Sequence, residues 1–294
     1  MKYSIKDLER ISGIKAHTIR IWEQRHNILN PTRTETNIRQ YSCEDLKKII
    51  TLGSLNARGL KISKLASLND KELGLEVLRH SQNSEDVEFQ IEKLVTSMID
   101  FDGRAFDNVL RTNIEHMGFD GAFERLIYPF FDRVGVLWQL GSIDPAQEHL
   151  ISNLIRQRLI IETDKLLPKS NNDKILCSFL PEGEYHELGL LYYSYLAVKE
   201  GFELSYYGQS TPYSSVKTAI ENKNPDLVLF SFVQSMELSK LQNYIHTVTT
   251  DFPRLQICVS GAQAIKIESN PPHLSLMSDA NDFRKKIREI LSKN

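Results

Sequence analysis

The stretch from residue 174 to 294 constrains the fold most strongly, because strand-like and helix-like segments alternate along it. Such alternation is typical of a doubly wound, mostly parallel sheet, in which ligands bind outside the carboxyl ends of the strands. We therefore predict a Rossmann-like α/β domain over residues 174–294. The predicted strands lie at 175–180, 203–207, 226–232, 255–259 and, more weakly, 274–277.

The preceding region, residues 84–167, has the spacing of helices. Apolar residues recur three and four positions apart, and no proline occurs between Asp70 and Pro129. Breaks at 100–103, Gly118 and Gly141 divide the region into about four segments. This pattern predicts a four-helix bundle.

Residues 1–75 have the pattern of a winged helix-turn-helix. Ser4 begins a short helix with a sequence like a capping box, Gly13 ends it, and a second helix runs to about Arg25. On the second helix Ile19 and Trp22 share a face that we expect to point inward. The opposite face offers hydrogen-bond donors for phosphates and base edges, among them His17, Arg20 and Gln24.

The charge is concentrated in the same region. Residues 1–75 hold 14 Lys and Arg against 8 Asp and Glu, whereas the whole chain has a net charge of −2. The stretch 30–41 contains turn formers, β-branched residues and two arginines, which favours a short β-hairpin wing. Residues 1–75, which we call the head, are basic, and the rest of the chain is acidic. This distribution favours a polyanionic partner such as DNA, although chance asymmetry of surface charge gives the same totals.

The bundle carries a large aromatic side chain near two polar residues. Trp138 precedes Glu148 and His149, with nine residues between Trp138 and Glu148. The three side chains lie close together if the two helices that carry them adjoin at one end of the bundle. Taken singly, a tryptophan is equally typical of a hydrophobic core, and a Glu-His pair is equally typical of the start of a helix.

A histidine follows the first predicted strand of the α/β domain. Glu184 stands two residues before His186, a spacing that suits a carboxylate holding one ring nitrogen of a metal-binding histidine, and Gly189 permits close approach of a planar group. The chain lacks Gly-x-Gly-x-x-Gly and a Walker loop, which disfavours dinucleotide and nucleotide sites. No second His or Cys lies at metal-site spacing, which disfavours zinc.

These residues resemble a known family. Arg20-Ile21-Trp22-Glu23-Gln24-Arg25 and Arg39-Gln40-Tyr41-Ser42 are similar to the DNA-binding domain of MerR-family regulators, in the group that includes CarH, CarA and LitR. Glu184-x-His186-x-x-Gly189 is similar to the signature of cobalamin-binding domains, and Trp138 with Glu148-His149 matches the W-x9-E-H motif of the group. Ser231 and Gly261 resemble further elements of the cobalamin domain.

The resemblance implies a transcriptional regulator, most simply a repressor and not an enzyme, with domains at 1–75, 84–167 and 174–294. It implies adenosylcobalamin as cofactor, operator DNA as partner, a dimer or tetramer, and control of assembly by light. The implied cobalt ligand is His186, oriented by Glu184. The implied DNA-binding residues are His17, Thr18, Arg20, Arg33, Arg39 and Tyr41. The implied cofactor-binding residues are Trp138, Glu148, His149, Glu184, His186, Gly189, Ser231 and Gly261.

The chain departs from the group at three places. Gln139 stands where CarH has a histidine, so the light-induced bis-histidine product is in question. Thr36-Asn37-Ile38 stands where the family has glycines at the wing tip, and Ala262 follows Gly261 where relatives have a second glycine.

Two alternative functions remain open from the sequence. One is a cobalamin-free MerR-type regulator that takes its signal from a partner protein, and the other is a corrinoid methyl carrier for a methyltransferase. The chain has no signal-peptide core and no apolar run of membrane-spanning length, and its three cysteines are scattered. These features predict a cytoplasmic protein without membrane contact.

Overall fold

The computed structural model describes residues 2–69, 72–74, 76, 86–139, 143–167, 173–268 and 271–292, without the side chains of 136–139. It comprises two compact units, Met1–Leu154 and Ile155–Asn294. Among the residues described, no helix has both the length and the apolar character needed to cross a membrane.

The first unit begins with the predicted helix-turn-helix. Helix α1 (Ile5–Ser12) has a reciprocal capping box between Ser4 and Asp7, and Gly13 ends it in the left-handed conformation. Helix α2 (Ala16–His26) follows, then strands β1 (Thr32–Arg33) and β2 (Arg39–Gln40), which pair antiparallel as the wing. Helices α3 (Cys43–Ala57) and α4 (Ile62–Ala66) complete the head.

The wing turn explains the missing glycines. Asn37 has a φ of 62°, a left-handed conformation that asparagine tolerates better than most residues. The backbone N–H of Thr34 donates to the Ile38 carbonyl, and the N–H of Ile38 donates to the Thr34 hydroxyl. A single asparagine therefore provides the turn at the position where the family resemblance implies glycine.

The helical region contains α5 (Val87–Ile99), α6 (Gly103–Ala122), a π-helical turn at Phe123–Ile127, α7 (Tyr128–Gln139) and α8 (Pro145–Asp164). Asp102 caps α6 through the backbone N–H of Ala105, and Gly118 is a non-helical kink inside that helix. Two predicted breaks are thus confirmed, whereas Gly141 lies outside the described residues. Apolar residues at these helical spacings are buried, among them Phe89, Leu94, Met98, Phe106, Leu110, Phe123, Leu126 and Ile127.

The second unit is built on a parallel sheet, as predicted. Its strands are β3 (Ile175–Pro181), β4 (Glu203–Thr211), β5 (Leu227–Ser231), β6 (Gln256–Ser260) and β7 (Leu274–Leu276). Their order is β4-β3-β5-β6-β7, the flavodoxin-like arrangement of a doubly wound sheet. Helices α9 (Leu188–Glu200), α10 (Tyr213–Lys223), α11 (Leu238–Asp251) and α12 (Ala280–Ser292) connect or follow the strands. The strand order reverses next to β3, so a ligand site is expected at the carboxyl ends of β3 and β5.

Candidate functional site

The second helix of the head has the two faces that its sequence predicted. Ile19 and Trp22 are buried, whereas His17, Arg20 and Gln24 are exposed. The exposed face therefore offers a guanidinium, an imidazole and an amide to a partner surface. Thr18, also among the predicted DNA-binding residues, is half-buried beside His17 and lies 3.3 Å from its Nε2.

The wing places one predicted arginine at the surface. Arg33 is exposed, and its Nη1 donates to Oδ1 of Asn37 over 2.7 Å. The side-chain amide at the left-handed turn thus orients the guanidinium along the hairpin.

Arg39 and Tyr41 are hydrogen-bonded to Glu23 on the second helix. The Nε of Arg39 and the hydroxyl of Tyr41 donate to the two carboxylate oxygens of Glu23, each over 2.9 Å. Tyr41 is wholly buried, and burial together with the Glu23 hydrogen bond raises its pKa. These contacts fix the wing against the recognition helix, and direct contact of Arg39 and Tyr41 with DNA stays a prediction.

The structure shows the side chains of Glu148 and His149, two of the three bundle residues that were predicted to converge. The carboxylate of Glu148 accepts a hydrogen bond from Ser152, and its Oε2 lies 3.7 Å from Nε2 of the exposed His149. Both residues occupy the first turns of α8, which Asp144 caps through the N–H of Ala146. Trp138 is in the last turn of α7, but its side chain lies outside the described residues, as does that of Gln139. Convergence of the three side chains therefore stays a prediction.

The Glu184–His186 pair has the geometry that its spacing predicted. Oε1 of Glu184 accepts hydrogen bonds from Nδ1 of His186 over 2.7 Å and from the backbone N–H of Tyr185 and His186. Because an ionised carboxylate only accepts hydrogen bonds, Nδ1 carries the proton. The side chain of Glu184 is 6% exposed and that of His186 59%, so a buried anion orients an imidazole at the surface.

The same carboxylate joins two strand ends. Oε2 of Glu184 accepts hydrogen bonds from the backbone N–H of Val233 over 2.8 Å and of Gln234 over 2.7 Å, directly after β5. The carbonyl of Glu184 accepts from the N–H of Ser210 near the end of β4. Glu184 therefore links the loops after β3 and β5 to the last residues of β4.

This set of donors determines the charge of Glu184. Burial alone raises the pKa of the carboxyl, but hydrogen bonds from the His186 side chain and from three backbone N–H groups outweigh it and hold the pKa at about 2. The group is ionised throughout the ordinary pH range. It therefore keeps Nδ1 of His186 as a donor and leaves Nε2 as the basic nitrogen of the ring.

Ser231 and Gly261 lie where the resemblance places them, at the ends of neighbouring strands. Ser231 is buried and pairs in register with Ser260 of β6. Gly261 has a φ of 94°, and a Cβ at this position would lie 2.4 Å from the Phe232 carbonyl oxygen. Glycine is thus required by the close approach of two backbones, independently of any ligand.

Gly189 has a different environment. A Cβ built on it would meet no heavy atom within 4 Å, so the space beside the first turn of α9 is open. This openness is compatible with a planar group packed against the helix, and the role of Gly189 in holding one stays a prediction.

Sequence reasoning missed three exposed apolar side chains in the loops that follow the strands. Tyr185 follows β3, Leu238 follows β5 and Ile265 follows β6, and their exposed fractions are 60%, 45% and 84%. Large apolar side chains in strand-to-helix loops were the available signal. Exposed apolar side chains in loops at the strand ends, where His186 also lies, suit a bulky ligand with a large hydrocarbon face.

Sequence reasoning also missed a buried carboxylate next to His186. Glu187 is 6% exposed, and its Oε1 accepts a hydrogen bond of 2.5 Å from Nε of Arg156. Its Oε2 accepts from the Tyr206 hydroxyl over 2.9 Å. Glu187 is thus held by Arg156 of α8 and by Tyr206 of β4. Both partners are distant in the sequence, so local spacing does not indicate them.

Comparison with known proteins agrees with a DNA-binding region at residues 3–71 and with a cobalamin-binding region after it. The profile of MerR HTH family regulatory proteins matches residues 3–71, and that of a B12 binding domain matches residues 90–161. The chain is 29% identical over 269 residues to the HTH-type transcriptional repressor CarH of Myxococcus xanthus, covering 89% of each chain. It is 29% identical over 237 residues to the repressor CarA of the same organism, covering 80% of this chain and 78% of CarA.

A solved structure supports the fold. The monomethylamine corrinoid protein of Methanosarcina barkeri superposes with a TM-score of 0.55 at 13% identity, over 67% of this chain and 96% of that protein. The predicted winged helix-turn-helix, helical region and Rossmann-like domain are confirmed. The relatives are regulators of transcription, which confirms the prediction of a regulator rather than an enzyme. The chain therefore combines a segment that matches the MerR HTH family with a segment that matches a B12 binding domain, and it is similar over most of its length to the repressors CarH and CarA.

Proposed function

We propose that this regulator is a repressor whose operator binding depends on bound adenosylcobalamin, which His186 would hold through its cobalt. The single observation that carries the proposal is the exposed imidazole of His186, oriented by a buried and ionised Glu184 at the carboxyl ends of β3 and β5. CarH and CarA are named as transcriptional repressors, which supports the direction of control.

The residues present fit a corrinoid. Nδ1 of His186 is bound to Glu184, so Nε2 is the nitrogen suited to cobalt. The exposed Tyr185, Leu238 and Ile265 suit the apolar faces of a large macrocycle, and the space beside Gly189 admits a planar group. Ser231, Gly261, Trp138, Glu148 and His149 complete the proposed binding set. When bound, adenosylcobalamin supplies a cobalt–carbon bond that light breaks.

We propose that the exposed face of α2 and the wing bind double-stranded operator DNA. His17, Thr18 and Arg20 would face base edges and phosphates, and Arg33 would follow the backbone beside the wing. Arg39 and Tyr41 support this surface through Glu23. Assembly of several chains would bring several heads to one operator and raise avidity, so loss of assembly would release the DNA.

The test is an absorption spectrum of the purified protein mixed with adenosylcobalamin, desalted in the dark and then exposed to green light. We expect corrin absorbance to remain with the protein and to change on illumination. The His186→Ala variant should retain far less corrin, whereas His246→Ala, an exposed histidine in the middle of α11, should retain as much as the unmodified chain.

Each result separates the alternatives. A protein that binds operator DNA but retains no corrin would be a cobalamin-free regulator, which would contradict the proposal. Retained corrin with an unchanged spectrum in light would indicate a sensor of cobalamin level. Light scattering in the dark and after illumination checks the assembly, which we expect to be larger in the dark. Methyl transfer to a thiol acceptor would favour the methyl carrier.

A further inference from the structure

The first unit contains a cleft between the head and the helices that follow it. Its volume is about 500 Å³, within the range of small-molecule sites. One wall is α3 of the head, through Ile50, Thr51 and Ser54, and the other walls are α5 and α6. Asn108, Thr112 and His116 are exposed at its mouth, whereas Ser54, Phe89 and Gln90 are buried in its floor.

One polar atom in this cleft lacks a hydrogen-bond partner among the residues that the structure describes. Oε2 of Glu92 is buried and accepts no hydrogen bond; Nη1 of Arg58 forms an ion pair with it at 3.8 Å, a distance too long for a hydrogen bond. Gln90, on the same helix, also lines the cleft and is 4% exposed. Buried polar groups in native folds are nearly always hydrogen-bonded, so an unsatisfied carboxylate oxygen facing a cleft points to a ligand that donates to it.

The cleft also presents a cation. Lys93 is half-buried in its wall and forms no ion pair with any described residue, and burial lowers the pKa of its ammonium. Arg58, by contrast, is already bound to Asp86 over 2.6 Å and to the carbonyl of Ser54. An unbound ammonium, a carboxylate oxygen and a primary amide thus line one small space.

We propose that this cleft binds a small zwitterion of the size of a free α-amino acid, separately from the cobalamin site. The ligand's ammonium would donate to Oε2 of Glu92, and its carboxylate would accept from Lys93 and from the amide of Gln90. Phe89 and Val109 supply an apolar surface for a side chain. These contacts would satisfy the carboxylate oxygen of Glu92 that accepts no hydrogen bond and would pair the ammonium of Lys93.

Binding here would act on the head, because the cleft is walled by both the head and the helical region. Ser54 and Thr51 belong to α3, whereas Glu92 and Lys93 belong to α5. A ligand that contacts both would stabilise their packed arrangement, and DNA binding would change with its concentration.

The test is isothermal titration calorimetry on the full chain with L-serine, L-glutamine and L-glutamate as zwitterionic probes. Ethanolamine is serine without its carboxylate and 3-hydroxypropanoate is serine without its ammonium, so each presents one charged half of the zwitterion. We expect saturable binding of at least one zwitterion and at least about tenfold weaker binding of either half. Failure of all three zwitterions to bind at about 10 mM, or equal binding of ethanolamine, would overturn the proposal.

Variants identify the site. Lys93→Met and Glu92→Gln should each weaken binding about tenfold or more, because each removes one charge-assisted hydrogen bond. Arg111→Met, an exposed cation of α6 outside the cleft, should bind as the unmodified chain does. Unchanged binding by the Lys93→Met variant would place the ligand elsewhere and overturn the proposal. If Glu92→Gln fails to fold, the Lys93→Met variant alone tests the site. Retention of corrin by these variants is expected to be normal, which separates this site from the cobalamin site.

Discussion

Nδ1 of His186 lies 2.7 Å from Oε1 of Glu184, while Oε2 of Glu184 accepts hydrogen bonds from the backbone N–H of Val233 and Gln234. One buried carboxylate therefore orients the exposed imidazole and holds together the loops after two neighbouring strands. The proposed cobalt ligand and the local stability of the sheet edge depend on the same group.

The first prediction concerns Glu184 and pH. Its carboxyl has a pKa of about 2 in the folded chain against an ordinary value of 4.5. A lowered pKa contributes stability that is fully present above the ordinary value and is lost as the pH falls toward 2, here about 2–3 kcal/mol. Urea unfolding at pH 7 and pH 3 should show a smaller loss of stability for Glu184→Gln than for the unmodified chain.

The exposed Glu182 provides the control for this experiment. Glu182→Gln should follow the pH dependence of the unmodified chain. Equal pH dependence of the Glu184→Gln chain and the unmodified chain would show that the hydrogen bonds of Glu184 do not stabilise its ionised form.

The second prediction concerns Gly261. In Gly261→Ala the new Cβ would lie 2.4 Å from the Phe232 carbonyl oxygen, in addition to the strain of a φ of 94°. We expect a loss of at least about 3 kcal/mol in the free energy of unfolding. Gly183→Ala is the matched comparison, since Gly183 has a φ of 83° and open space around it, and should cost only about 1–2 kcal/mol. Similar losses in urea unfolding would contradict the backbone clash.

The third prediction uses Gly189 to separate stability from cofactor binding. Alanine fits the helical conformation at Gly189 and meets no atom within 4 Å, so Gly189→Ala should leave the cofactor-free protein as stable or about 0.5–1 kcal/mol more stable. If Gly189 makes room for the corrin, the same variant should bind cobalamin more weakly in an absorbance titration. Undiminished affinity would remove Gly189 from the proposed binding set.

The fourth prediction distinguishes two arginines of the head. Arg20 is exposed on α2, so Arg20→Ala should weaken operator binding and reduce the slope of log affinity against log salt by about one. Arg39→Gln breaks the pairing with Glu23, so it should instead lower the stability of the head by about 1–2 kcal/mol. Fluorescence anisotropy across a salt series, together with thermal unfolding, measures both effects. An equal change of salt slope in Arg39→Gln would show that Arg39 contacts phosphate directly.

Much of this protein follows from local sequence. The two faces of α2, the alternation that predicts the sheet, and the position of His186 after its first strand depend on residues close together in the chain. The wing was predicted as well, although only the structure shows that Asn37 makes its turn in the left-handed conformation. Hydrophobic periodicity and turn chemistry determine these features, because both act over a few residues.

The tertiary structure alone decided which groups complete the candidate site. Val233 and Gln234 bind Glu184 through backbone N–H groups 49 and 50 residues away, and a backbone donor has no side-chain signature. Arg156 reaches Glu187 across 31 residues, and Gly261 is required by the carbonyl of Phe232. The sequence by itself determined the kinds of element and the identity of the orienting pair. The partners of that pair arise from strand order and loop approach, which local spacing does not encode.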